Sequence, residues 1–242
     1  MGHYHNPQIP TRNLHFLVDA CNISSYPGSG SLWNDLIESN HLTLTNSPTF
    51  SSTGASSYFT FNGSNQYASK SSVSNGALIQ GPITINVFFS PNSTGTQNVF
   101  AITSGGSSAI QIGVISGTGT IWKYGGTALL NYQYAGIGTV WHLTYTCDGS
   151  NNSKVYINGV LQASGTVATQ TGTADNYSVG TFNSSGSQLF GGKVYYASIH
   201  KTVFSDLEVH KTWAALKKRW GFGAIGGTTA GDATIGGLQG GQ

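Results

Sequence analysis

The sequence is short of charged residues, which make up 7% of its 242 positions, against roughly 25% in an ordinary soluble domain. Long helices and coiled coils depend on Glu, Lys and Arg, so this scarcity excludes a long-helix protein. Aromatic residues are not scarce, at 12%, and disordered chains are poor in them, so a folded core is expected. Length and composition together predict an all-β domain whose solubility comes from hydroxyl and amide groups.

Basic residues are also few, and they cluster only at Lys217, Lys218 and Arg219. A nucleic-acid-binding face shows as a patch or stripe of Lys and Arg, whereas cations in the last turn of a helix offset the helix dipole. The sequence therefore predicts no nucleic-acid partner. No apolar run approaches the ~18 residues of a membrane-spanning helix, so no membrane partner is predicted either.

The sequence contains two cysteines and no recognisable secretory signal at its N-terminus. The composition is typical of an exposed surface protein, and together with the missing signal it suits a protein that is made in a cytosol and released as part of a particle. Cys147 ends an alternating segment and is predicted to be a small buried hydrophobe. Its spacing from Cys21 does not decide whether the two are paired.

Glycine is abundant, with 34 residues, and Gly, Ser and Asn separate many short β-type segments, as in a sandwich or barrel. Apolar residues alternate most clearly at 82–89 and 139–147, and Asn158-Gly159 after 154–157 predicts a tight hairpin. Further strands are predicted at 14–18, 58–61, 98–102, 109–115, 120–124, 129–134, 177–181 and 193–200.

One helix is predicted at 205–220. Ser205 and Glu208 have the spacing of a capping box, which marks a helix N-terminus. Residues at helical spacing form an apolar face that is predicted to pack on the sandwich; they are Val209, Trp213, Leu216 and Trp220.

Four groups of segments, in this order, carry a resemblance to one family. They are 16–20 (FLVDA) with 26–30 (YPGSG) and 33–36 (WNDL), Phe50 with 59–67 (FTFNGSNQY), 141–145 (WHLTY) with 148–149 (DG) and 155–159 (VYING), and 195–200 leading into 205–220. Together they resemble the concanavalin-A-like, laminin-G-like jelly-roll domains found in phage virion proteins and bacterial surface proteins. The resemblance implies an antiparallel jelly-roll sandwich of two sheets over 14–222, ending in the helix at 205–220. An N-terminal arm at 1–13 and a Gly-rich C-terminal arm at 223–242 flank it.

The motif residues are interpreted as structural. Asn62-Gly63 and Asp148-Gly149 are turn sequences, and Trp33 is a large apolar anchor for the core, as is Trp141. Where the family often has Asp, this chain has Asn62 and Gln66. Both changes remove carboxylates that could bind calcium, so no metal site is predicted.

The resemblance suggests glycoside hydrolysis as the enzyme class to test. That reaction typically needs a pair of carboxylates. The chain has eight acidic residues, and no predicted strand carries two of them at i and i+2, where both would share a face. We therefore predict no catalytic residue, no cofactor and no enzymatic activity.

The leading hypothesis is a structural protein of a phage virion, either a capsid decoration or a tail-associated surface protein. Its arms would anchor it to other virion proteins or to copies of itself in a homo-oligomer. In the C-terminal arm, Ile225, Ile235 and Leu238 are candidate apolar contacts, and the arm is expected to add as a strand to a neighbour's sheet edge.

The alternative hypothesis is a glycan-binding adhesion module for a host or surface polysaccharide. Trp122 and Tyr124 share one face of a predicted strand, and Tyr132 and Tyr134 share a face of the next. These rings could form a platform for stacking on a sugar. The competing interpretation places them in the core or in an interface.

Overall fold

The computed structural model describes residues 9–52, 56–79, 81–105, 108–115, 117–122, 128–132, 136–166 and 172–219, with backbone alone at 108, 109, 115, 122, 128, 129 and 219. These ranges contain sixteen strands and one helix. The elements are β1 (Leu14–Asp19), β2 (Leu32–Trp33), β3 (Leu42–Thr45), β4 (Thr49–Ser51), β5 (Tyr58–Asn62), β6 (Tyr67–Ser71), β7 (Ile83–Pro91), β8 (Gln97–Ser104), β9 (Ser108–Ile115), β10 (Thr118–Trp122), β11 (Ala128–Tyr132), β12 (Trp141–Cys147), β13 (Asn152–Ile157), β14 (Val160–Thr166), β15 (Asn176–Val179), β16 (Gly191–His200) and α1 (Asp206–Arg219).

The described strands form two antiparallel sheets, which confirms the predicted jelly-roll sandwich. The first sheet has the order β14-β13-β12-β7-β16-β5-β4, with β1 also paired to β16. The second has the order β11-β10-β9-β8-β15-β6-β3-β2. Strands that are distant in sequence lie side by side, so the β7–β8 loop and the start of β16 meet at one end of the sandwich.

The core lies between the two sheets and follows the predicted alternation. In the first sheet, β7 and β12 pair with Leu143 opposite Val87 and Tyr145 opposite Ile85, and these four side chains are at most 1% exposed. The predicted anchors Trp33 and Trp141, and Cys147 with them, belong to the same buried cluster. Cys21 and Cys147 are not joined by a disulfide, which answers the question that their spacing left open.

The predicted hairpin is present between β13 and β14. Asn158 has φ 52° and Gly159 has φ 79°, the two left-handed positions that a type I′ turn requires. A Cβ on Gly159 would lie 3.1 Å from the Trp213 ring. The turn therefore also provides part of the surface on which α1 rests.

Helix α1 begins as predicted. The Ser205 amide donates to Glu208 Oε2 at 2.8 Å, and the Glu208 amide donates to Ser205 Oγ at 3.3 Å, so the capping box is formed. Arg12 from the N-terminal segment donates to the same carboxylate at 3.0 Å. The described end of the predicted N-terminal arm thus contacts the chain's own domain.

The helix packs on the outer face of the first sheet, again as predicted. Leu216 is fully buried with Phe88, Tyr195 and Tyr196. Trp213 stacks over Phe88, with ring centroids 5.7 Å apart. The last residue of the predicted apolar face, Trp220, lies outside the described residues.

Beneath the helix, the outer face of the first sheet is polar and buried. Asn86, Thr144, Ser198 and His142 are all 0% exposed. Thr144 Oγ1 donates to Asn86 Oδ1 at 2.8 Å, and Asn86 Nδ2 donates to Ser198 Oγ at 3.3 Å. These hydrogen bonds allow a polar sheet face to be covered without leaving its amides unpaired.

Several elements differ from the sequence predictions. The short strands β2, β3, β4 and β6 were not predicted, because they are held by pairing with neighbouring strands and carry no clear alternation of their own. The strand predicted to continue to Thr181 ends at Val179, because Gly180 adopts φ 78°. In the Asp148 turn, the left-handed residue is Asn151, at φ 66°, and not Gly149. No described helix is long and apolar enough to cross a membrane.

Candidate functional site

A polar cleft of about 250 Å³ lies at one end of the sandwich. It is bounded by the turn that follows β5, by the β7–β8 loop and by the start of β16. The residues that line it are Asn62, Gly63, Asn92, Ser93, Gly95, Thr96, Gln97, Leu189 and Gly191. Most of these residues carry a side-chain amide or hydroxyl or are glycines. Leu189 is the apolar residue among them, and it is half-buried.

Gln97 fixes the β7–β8 loop against β16. Its side chain is 2% exposed; Oε1 accepts a hydrogen bond from the Gly191 amide at 3.1 Å, and Nε2 donates to the Ser93 carbonyl. The Asn92 amide donates to the Gly191 carbonyl at 2.9 Å. The loop is therefore tied to the sheet at both ends, and this wall of the cleft is positioned before any ligand binds.

Asn62 fixes the opposite wall. Its Oδ1 accepts hydrogen bonds from the amides of Ser64 at 2.9 Å and Asn65 at 3.1 Å, and Gly63 adopts φ 72°. This geometry confirms the predicted turn at Asn62-Gly63. It also leaves Asn62 exposed at the cleft, opposite Gly191 in the β5–β16 ladder.

Asn92 and Thr96 are the groups most available to a ligand. Both are exposed, and neither side chain hydrogen-bonds to another residue in the described part of the chain. Gly191 provides the room for Asn92, because a Cβ at Gly191 would lie 2.3 Å from Asn92 Oδ1. An amide and a hydroxyl can each donate and accept hydrogen bonds, which suits partners rich in hydroxyl groups.

No residue that lines the cleft is ionisable. The cleft can therefore form neutral hydrogen bonds and one apolar contact, but its lining residues offer no general acid, no general base and no anionic metal ligand. Among the described residues, no three His, Cys, Asp or Glu side chains converge as a metal site.

The acidic residues described elsewhere have structural partners. Asp35 is 5% exposed and accepts hydrogen bonds from the amides of Leu17, Ile37 and Glu38; burial raises the pKa of this carboxyl against the effect of those bonds. Asp148 accepts from two amides of its own turn. These carboxylates stabilise loops.

A Glu–His–Tyr chain connects β1 to β15. His15 Nδ1 lies 3.0 Å from Glu38 Oε1, and Nε2 lies 2.8 Å from the Tyr177 hydroxyl. That hydroxyl also accepts a hydrogen bond from the Ala77 amide at 3.0 Å. Tyr177 is fully buried, so no substrate can reach its oxygen, and the chain fastens two loops to the sandwich.

Of the four aromatic residues predicted to bind glycan, the structure describes only the side chain of Tyr132. Tyr132 is 4% exposed, belongs to the core and donates from its hydroxyl to the Gly113 carbonyl at 2.8 Å. Its ring is unavailable for stacking, so the competing core interpretation is correct for this residue. The backbone of Trp122 pairs with Gln111, while its side chain, Tyr124 and Tyr134 lie outside the described residues.

The predicted partner-binding residues Ile225, Ile235 and Leu238 also lie outside the described residues.

The cleft itself was not predicted from the sequence. Asn62 was interpreted as a turn residue, and the loop at 92–97 reads like the other Ser-, Thr- and Asn-rich loops. The cleft depends on which loops the strand order brings together, and the sequence carries no local signal for that.

Comparison with known families identifies the superfamily to which this fold belongs. A laminin-G-type family model, described as the concanavalin A-like lectin/glucanases superfamily, matches residues 61–210. That match covers more than half of the chain, and the chain belongs to this superfamily. Among curated proteins, no sequence matches it.

Solved structures show the same fold at low sequence identity. One is domain 4 of AbnA, an extracellular GH43 arabinanase from Geobacillus stearothermophilus in complex with arabinotriose, with 16% identity and a TM-score of 0.66 over 83% of this chain and 98% of that one. Another is Trypanosoma rangeli sialidase, with 14% identity and a TM-score of 0.64 over 87% of this chain. This chain spans 34% of the sialidase's length. The botulinum neurotoxin serotype G binding domain matches with 14% identity and a TM-score of 0.60 over 82% of this chain and 50% of that one.

Proposed function

We propose that this chain is a non-catalytic carbohydrate-binding domain and that the polar cleft is its glycan site. One observation carries the proposal: the loops at the end of the sandwich converge on a fixed cleft of amides and hydroxyls that contains no ionisable group. A sugar presents the matching groups, adjacent hydroxyls that both donate and accept. The structural similarity to an arabinanase domain solved with arabinotriose supports the same function.

The expected affinity is modest. Neutral hydrogen bonds each contribute roughly 0.5–1.5 kcal/mol net, and no described aromatic ring lines the cleft. A handful of such bonds gives a dissociation constant near the millimolar level, or about 4 kcal/mol. Binding to a surface polysaccharide would then depend on many copies acting together.

A glycan array followed by titration calorimetry tests this function. Asn92→Ala should lower the affinity for the glycan that the wild-type protein binds about tenfold. The substitution removes an exposed side-chain amide that forms no hydrogen bond within the described part of the chain and is therefore available to the ligand. Gln162→Ala is the matched control, since Gln162 is an exposed amide on β14, an edge strand that β13 and β12 separate from β7 in the first sheet. Equal affinities for wild type and Asn92→Ala would contradict the proposed site.

Absence of catalysis is part of the proposal. Because the lining residues of the cleft include no carboxylate pair, the purified protein should release no reducing sugar from any glycan that it binds. Saturable release that is lost in Asp148→Asn would contradict this expectation.

Display on a phage virion remains a second candidate function. It is supported by the resemblance noted in the sequence and by the apolar residues Ile225, Ile235 and Leu238 within the Gly-rich segment. A domain anchored in this way to virion proteins, or to copies of itself, can also bind polysaccharide. The two functions are therefore compatible.

A further inference from the structure

We propose that the cleft selects neutral sugars, binds one or two sugar units at a time, and needs no metal ion. This inference rests on the proposed glycan-binding function and specifies its ligand class. Three features of the cleft support it: its size, its charge and the chemistry of its oxygen atoms.

The size of the cleft limits the length of the ligand. Its volume is about 250 Å³, which is below the ~300–1,000 Å³ of sites that enclose drug-sized ligands. Gln97 ties its loop wall to β16 through Gly191, so widening the cleft would break a buried hydrogen bond. Further units of a longer glycan would extend into solvent, and affinity should stop rising after the second unit.

The charge of the cleft selects against acidic sugars. No cation lines it. Lys193 is two residues beyond Gly191 in the sequence, but it does not line the cleft. Its Nζ lies over the Tyr58 ring, 4.4 Å from the ring centroid. A sugar carboxylate in the cleft would lose water without gaining a charged partner, and burying an unpaired charge is unfavourable.

The oxygen atoms of the cleft are poorly suited to calcium. Calcium sites in proteins combine Asp and Glu carboxylates with neutral carbonyl oxygens and water, and the residues that line the cleft offer only neutral oxygens and no carboxylate. Asn62 Oδ1 is already engaged as an acceptor for turn amides. The hydroxyls of the sugar would therefore bind directly to side chains rather than through a bridging cation.

The test is a titration of the full chain with neutral oligosaccharides of increasing length. Arabino-, xylo-, cello- and malto-oligosaccharides of one to six units are compared with two acidic probes, sialyllactose and oligogalacturonate. Each titration is performed with EDTA and again with added calcium. We expect a neutral ligand whose affinity changes less than about twofold beyond two units and less than about twofold with EDTA, and acidic probes that bind at least about tenfold more weakly, a 1.4 kcal/mol difference.

Two variants connect the result to the cleft. Asn92→Asp keeps the side-chain shape but replaces the amide donor with a charge, so it should lower neutral-sugar affinity about tenfold. Gly191→Ala should also lower the affinity for neutral sugars, because the new Cβ would lie 2.3 Å from Asn92 Oδ1 and displace the Asn92 side chain. Gln162→Ala should match wild type.

The outcomes separate this inference from the proposed function. Tighter binding of an acidic probe, loss of binding in EDTA, or affinity that keeps rising with length would overturn the inference, even if Asn92→Ala still showed that the cleft binds glycan. If no probe of either class binds, the proposed function is wrong and the inference with it.

Discussion

Replacing His142 with Phe should make the protein more resistant to acid. His142 is fully buried beside Phe88, with ring centroids 4.7 Å apart, and Trp213 stacks against both rings, 6.0 Å from His142 and 5.7 Å from Phe88. Thr144 Oγ1 donates to Asn86 Oδ1 and lies 3.3 Å from His142 Nε2. This network assigns the ring proton to Nε2, and Nδ1 then has no hydrogen-bond partner among the described residues.

Burial lowers the pKa of His142 to about 3, whereas an unfolded histidine has a pKa near 6.5. Below pH 6.5 the unfolded state therefore binds a proton that the folded state excludes, so stability falls as the pH falls. The loss is about 1.4 kcal/mol per pH unit for one such group. Between pH 7 and pH 5, His142 should contribute a loss of about 2 kcal/mol, a large share of the ~5–15 kcal/mol that stabilises a typical domain.

In His142→Phe this contribution disappears, because the new ring cannot be protonated and fills a similar space beside Phe88 and against Trp213. Urea unfolding of both proteins at several pH values from 5 to 7 measures the effect. The variant should lie within about 1 kcal/mol of wild type at pH 7 and gain about 2 kcal/mol relative to wild type by pH 5. The variant should keep a smaller, residual slope, because burial also lowers the pKa of His200, to about 4.

A matched control uses a histidine on the helix surface. His210 is exposed, so His210→Phe introduces the same ring without removing a buried histidine and controls for the substitution itself. Parallel slopes for wild type and His142→Phe would refute the reasoning, because they would mean that α1 does not seal the outer face of the first sheet.

Three further predictions concern the helix, the hairpin and the C-terminal arm. Trp213→Ala should lower the free energy of unfolding by about 3 kcal/mol, the low end for a large aromatic because the ring is half-buried, and a loss below 1 kcal/mol would mean that the ring supports little packing. Gly159→Ala should lower the melting temperature more than Gly117→Ala does. Both glycines have positive φ, but only Gly159 faces a neighbouring side chain, that of Trp213; equal decreases in melting temperature would contradict this contact. Deleting 223–242 should leave the melting temperature unchanged and abolish incorporation into a particle or oligomer, and normal assembly of the truncated protein would exclude the proposed role of the arm.

Local patterns in the sequence were sufficient to predict much of the fold. The alternation at 82–89 and 139–147, the Asn158-Gly159 turn and the Ser205 capping box each depend on neighbours within a few residues, and each is present in the structure. The short strands were harder to predict, since β2 and β4 are held by pairing with β3 and β5, which are defined by the tertiary fold.

The candidate site was not predictable in the same way. Asn62, Asn92 and Gly191 are separated by 30 and 99 positions in the sequence, and they meet only because β5, β7 and β16 are neighbours in one sheet. Aromatic residues gave a stronger signal from sequence alone, and it was misleading for Tyr132, whose ring faces the core. A glycan site built from loop amides has no local pattern that distinguishes it from ordinary turns.

The most direct test of glycan binding at the cleft is a map of amide chemical shifts by NMR while a neutral oligosaccharide selected on the array is added. We predict that the perturbed backbone amides cluster at 62–63, 92–97 and 189–191, and that the side-chain amide of Asn92 shifts with them at the same dissociation constant. Saturable shifts confined to another surface, or no shifts at millimolar sugar, would contradict the account.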